Sequence, residues 1–148
     1  KNEKTLEKLA EMQFETGDFE MAKYSYNELI KRNKSNMKFY KKLAHIYFAE
    51  EDFLKAAENY KKIIDKLGDN FNSFPDIKKV ALENIIALYR INNRPKAETL
   101  TKKFKTVLDE KAMDEIALNK GIYYLDIDNK KAEKIFSNLV KKSNLDTF

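Results

Sequence analysis

The side chains equipped for chemistry are few and scattered. His45 is the only histidine and cysteine is absent, so neither a histidine-rich nor a thiolate metal site can be assembled. His45 stands beside Tyr47 and Phe48, where it reads as a polar groove or packing residue rather than a catalytic base. Asp126-Ile127-Asp128-Asn129 opens like a calcium loop, but Lys131 and Ser137 stand where the glycine and the distal glutamate are needed. It reads instead as a turn with a helix N-cap. Gly17, Gly68 and Gly121 are too dispersed for a phosphate-cradling loop. Asn33-Lys34-Ser35 is a glycosylation tripeptide that carries weight only in a secreted protein. No cofactor or metal is expected, and the chain is read as non-enzymatic.

Composition narrows the remaining classes. The 148 residues are 43% hydrophobic and 36% charged, with 3 Gly and 2 Pro, the balance of an ordered domain rather than a disordered or collagen-like chain. The net charge is +5. It comes almost wholly from lysine, since Arg32, Arg90 and Arg94 are the only arginines. Nucleic acid is therefore disfavoured as a partner: the lysines are interleaved with acids, and the bidentate arginine fork is scarce. Lysines near helix C-termini have a structural reason of their own in the helix dipole. No apolar run reaches the ~18 residues of a membrane span, so membrane insertion is not expected. The chain starts at Lys1 rather than Met and is expected to be part of a longer protein. Cytoplasm and bacterial envelope both remain open as its location.

The elements that would position a binding surface emerge from a repeat. Gly17-Asp18-Phe19-Glu20-Met21-Ala22 returns as Glu51-Asp52-Phe53-Leu54-Lys55-Ala56. Leu9, Ala10, Phe14, Tyr26 and Leu29 meet Leu43, Ala44, Phe48, Tyr60 and Ile63 at the same shift. Ala22, Ala56, Ala97 and Ala132 continue the register at intervals of 34, 41 and 35. The longer interval places an insertion at 68–74, whose Phe71 and Phe74 either tuck under a neighbouring element or anchor a partner.

Within each unit the apolar residues recur three and four apart, one face of a helix. Eight helices are expected at 3–15, 19–33, 36–50, 53–67, 75–91, 94–109, 112–126 and 129–142. They pair into repeats at 3–34, 36–67, 75–109 and 112–142 of a single domain. Asp18 and Asp52 precede second helices as N-caps. Pro95 suits a first helical turn, and Pro75 is placed the same way.

Leu43-Ala44-His45-Ile46-Tyr47, then Asp52-Phe53 and Ala56 through Tyr60, resemble a tetratricopeptide repeat. The likeness extends over the whole chain and is strongest in repeats one and two; Asn84, Arg94 and Asn119 depart from the family pattern. It implies an all-α, right-handed solenoid whose concave groove is lined by first helices and binds a peptide or a partner helix. It also implies a scaffold or adaptor role, of which bacterial envelope assembly is one example.

Carried over, the groove positions are Glu7, Glu11 and Phe14 in repeat one, Lys38, Lys41, His45 and Phe48 in repeat two, Glu83 and Arg90 in repeat three, and Tyr124 in repeat four. Lys38, Lys41 and His45 together suggest a site for a negative peptide segment, or else a solvated face. The family's chaperone-tail clamp is disfavoured. Its positions correspond to Glu7, Glu11, Lys42, Val80 and Asn84, which puts two carboxylates where cations are required. The last helix carries Ile135, Phe136, Leu139 and Val140, and this end is expected to meet another unit or chain, self-association included. The alternatives are a lysine-driven binder of nucleic acid or anionic membrane surface, and a structural oligomerisation module.

Overall fold

The computed structural model describes residues 2–146 and is all-α. Its helices are α1 (Glu3–Glu15), α2 (Phe19–Arg32), α3 (Met37–Ala49), α4 (Phe53–Leu67), α5 (Ile77–Arg90), α6 (Arg94–Lys103), α7 (Glu110–Tyr124) and α8 (Asn129–Asp146). No strand occurs among the described residues, and no helix there is long and apolar enough to cross a membrane. The chain forms a helical repeat and divides into two compact units between Phe71 and Asn72.

In unit 1, α1 packs on α2, α3 on α4, and α2 on α3. Leu6, Ala10, Ala22, Tyr26, Leu29, Phe39, Leu43 and Ile46 form one buried cluster. Ala22 and Ala56 are each 0% exposed, the enclosure expected of a small residue where paired helices approach closely. Lys23 ties α2 to the end of α3, reaching Glu20 at 2.8 Å and Glu50 at 2.9 Å. Those two hydrogen bonds, Glu20's first, raise its pKa well above the ordinary lysine value.

The turns repeat as well. Gly17, Glu51 and Asn92 hold one register position in successive turns, and all three have positive φ, at 80°, 61° and 63°. The position demands a left-handed residue, which glycine and asparagine adopt more readily than glutamate. The fourth turn has Ile127 in that register, with no positive φ; a β-branched side chain resists that conformation.

In unit 2, α5 packs on α6, α7 on α8, and α5 on α7. Ala97, Ala132 and Phe104 are fully buried. Several boundaries differ from the sequence expectation: α7 covers Glu110–Tyr124 rather than 112–126, α8 runs to Asp146 rather than 142, and two further shifts have a local cause. α6 stops at Lys103 rather than 109: Phe104 is its C-cap, turns follow it, and Asp109 belongs to the next helix as its N-cap. α5 starts at Ile77 rather than at 75: Asp76 is left-handed, at φ 61°, so Pro75 lies in the preceding turn. Pro95, by contrast, sits in the first turn of α6 as expected. The insertion extends through Asp76, with Phe71 buried and Phe74 half-buried.

Asp109 accepts from the Ala112 N–H at 2.8 Å and from Lys78 at 2.5 Å. These bonds, the lysine's first, lower its pKa below the ordinary aspartate value. A depressed carboxylate stabilises the fold above its unfolded pKa, and that contribution is lost as pH falls through the folded pKa. Asp109→Asn should therefore lower the melting temperature at pH 7 and lose most of that effect in strong acid. An equal deficit at both pH values would contradict the assignment.

Candidate functional site

The first-helix side of unit 1 is built by α1 and α3. The repeat makes Glu7, Glu11 and Phe14 the register counterparts of Lys41, His45 and Phe48. Cross-helix pairs use neighbouring residues: Lys38 donates to Glu7, and Lys42 Nζ lies 5.0 Å from the Phe14 ring centroid. Phe14 also meets Phe19 at 6.0 Å, and Phe48 meets Phe53 edge-on at 5.5 Å. Glu11 and Glu15 make no hydrogen bond or ion pair with any described residue. The strip therefore offers unpaired carboxylates on α1 and an ammonium resting on an aromatic face from α3.

Three expected groove residues are placed differently from the sequence reading. Lys41 and His45 are each 7% exposed, and Tyr124 is likewise buried. α3 is apolar over most of its circumference, with Phe39, Leu43, Ala44 and Ile46 all buried, so the polar residues among them are enclosed too. His45 Nδ1 is 2.7 Å from the Tyr60 hydroxyl, with the rings edge-on. Tyr124 packs edge-on to Tyr123 at 4.9 Å and carries Lys131 Nζ 4.5 Å from its centroid. The exposed cationic strip expected from Lys38, Lys41 and His45 is not formed: two of its members are buried, and the third is paired to Glu7. In unit 2, Glu83 is half-buried and Arg90 is exposed.

The sequence reading missed the role of Lys42, although its place one residue after Lys41, opposite Phe14, was the available signal. It also missed a cleft of about 400 Å³ in unit 2, walled by Tyr89, Met113 and Ile116 and rimmed by Glu98, Lys102 and Lys120. Glu98 there holds Arg94 at 2.6 Å and Lys120 at 3.6 Å. Tyr89 is pushed up to about 12 by burial first and by Glu98 second.

The repeat also sets a controlled contrast. Tyr26 and Tyr60 occupy the same position in repeats one and two, as do Glu11 and His45. Tyr60 has the His45 bond, whereas the Tyr26 hydroxyl is buried with no hydrogen-bond partner among the described residues. Burial, followed by the charges of Glu11, Glu7 and Glu15, raises the Tyr26 phenol above the ordinary tyrosine value. Tyr60→Phe should cost about 1 kcal/mol, while Tyr26→Phe should be neutral or stabilise by up to about 1 kcal/mol. Urea midpoints of the two variants decide it; equal losses at both positions would refute the contrast.

No protein-family model matches this chain, and no curated protein matches it either.

Proposed function

We infer that the chain is a non-enzymatic, tetratricopeptide-type scaffold that binds a protein partner, as an extended peptide or a helix, on the first-helix side of unit 1. The observation supporting this is the pairing of repeated helix hairpins with an α1–α3 strip whose charges are only partly used internally. Glu7 and Lys38 satisfy each other, while Glu11 and Glu15 are unpaired and Lys42 rests on Phe14. A partner gains most where it meets unspent groups beside an aromatic surface. A cationic side chain on the partner suits Glu11 and Glu15, and an acidic or aromatic one suits Lys42 over Phe14. The setting offered by analogy is an adaptor, envelope assembly among the possibilities the family provides.

The test is affinity capture followed by measurement with the purified partner. A protein partner should bind the wild-type chain about tenfold more tightly than Glu11→Lys or Lys42→Glu, with the helical circular dichroism of both variants unchanged. Recovery of nucleic acid instead, or unchanged affinity in both variants, would overturn the reading.

A further inference from the structure

The outer side of the α7–α8 pair holds an open cleft of about 510 Å³ that includes Leu125, Glu133, Phe136, Ser137, Val140 and Lys141. We propose that this face is an isologous dimer interface, occupied by the same face of a second copy with α8 antiparallel to its mate and crossing at Ser137. The proposal stands apart from the peptide-binding reading of unit 1 and does not depend on it.

Two observations carry it. The first is that the repeat itself shows what this surface does elsewhere in the chain. Tyr26 and Ile30 of α2 are the first-repeat counterparts of Phe136 and Val140 in the fourth. Tyr26 is 1% exposed, with the Phe39 ring of α3 at 6.4 Å, and Ile30 packs against the same core. The corresponding α8 face has no such cover in the described chain: Val140 is 58% exposed and Leu125 is 46%. Gly121 shapes it, because a Cβ there would lie 2.5 Å from the Phe136 ring, and its absence lets the ring lie against α7.

The second is charge placement, which selects the occupant. On the α7 side of α8, Lys142 is fully engaged, at 2.7 Å from both Glu110 and Asp114. On the outer side, Glu133 and Lys141 make no ion pair with any described residue. They flank Ser137 by four positions each, about one helical turn in either direction. A two-fold axis at Ser137 brings Glu133 of each copy to Lys141 of the other, with the apolar groups between them. Self-complementarity of this kind is what an isologous contact requires. A small residue at the crossing permits close approach of the two helices.

Sedimentation equilibrium of the chain from about 10 to 500 μM should show a monomer–dimer equilibrium, since two helices a side give an interface at the small end of the stable range. Val140→Glu, at an exposed position, should keep the helical circular dichroism and weaken dimerisation by about tenfold or more. Glu133→Lys and Lys141→Glu should each weaken it when measured alone. An equimolar mixture of those two variants should recover dimer, because each supplies the charge the other needs. A wild-type chain monomeric at every concentration overturns the proposal, including the case in which the face takes a helix of another protein. So does a dimer that survives Val140→Glu, or a variant mixture that stays monomeric.

Discussion

Phe104→Ala is expected to lower the unfolding free energy of unit 2 by about 3–5 kcal/mol. The ring is fully enclosed. Its backbone also closes α6, donating to Leu100 O at 3.0 Å and accepting from Val107 and Leu108 at 3.0 and 3.2 Å. Truncation leaves a void at the point where the chain turns from α6 toward α7. A domain's whole stability is about 5–15 kcal/mol, so one such loss is a large fraction of it. Urea denaturation by circular dichroism measures the change, and amide exchange should accelerate across α5–α7. A loss below about 1 kcal/mol would show that Phe104 is not an anchor of this core.

Ala22→Leu is the second large effect, expected at about 1–3 kcal/mol. Leucine is nearly as good a helix former as alanine, so intrinsic propensity explains little of any loss. What changes is volume where α1 and α2 meet, at a residue with no exposed surface. Ala56→Leu should behave alike, being the same position in the second repeat and equally enclosed. Chemical denaturation of both variants checks this. Unchanged midpoints would mean that the recurring alanines do not mark close helix approach.

These two positions also show why the hairpins are legible in the sequence. A buried alanine at a close approach and an aromatic or aliphatic residue filling the gap beside it recur at fixed register, and neither depends on surface chemistry. Helix ends were less legible because they turn on single residues. The three-to-four spacing around Phe104 runs on toward Leu108, and nothing in that periodicity assigns Asp109 to the following helix. The left-handed Asp76 was similarly invisible beside Pro75, which has a simple place in a first helical turn. The candidate strip was only partly legible. Glu7, Glu11, Phe14 and Lys38 fall on α1 and α3 as the register requires, but residue type alone does not reveal that Lys41 and His45 are enclosed. The clue was internal: His45 precedes Tyr60 by the same interval as Glu11 precedes Tyr26. Only in repeat two does that spacing become a contact, because the imidazole can bond the phenol while Glu11 leaves the Tyr26 hydroxyl unbonded.

The first-helix side of unit 1 is proposed to receive a protein partner. The most direct measurement is a chemical-shift map of the isotope-labelled chain titrated with its captured protein or peptide partner. The largest shifts should fall on α1 and α3, around Glu7, Glu11, Phe14, Lys38 and Lys42. Shifts confined to α2 and α4, or a chain that titrates with RNA at about 150 mM salt and with no protein, would contradict it.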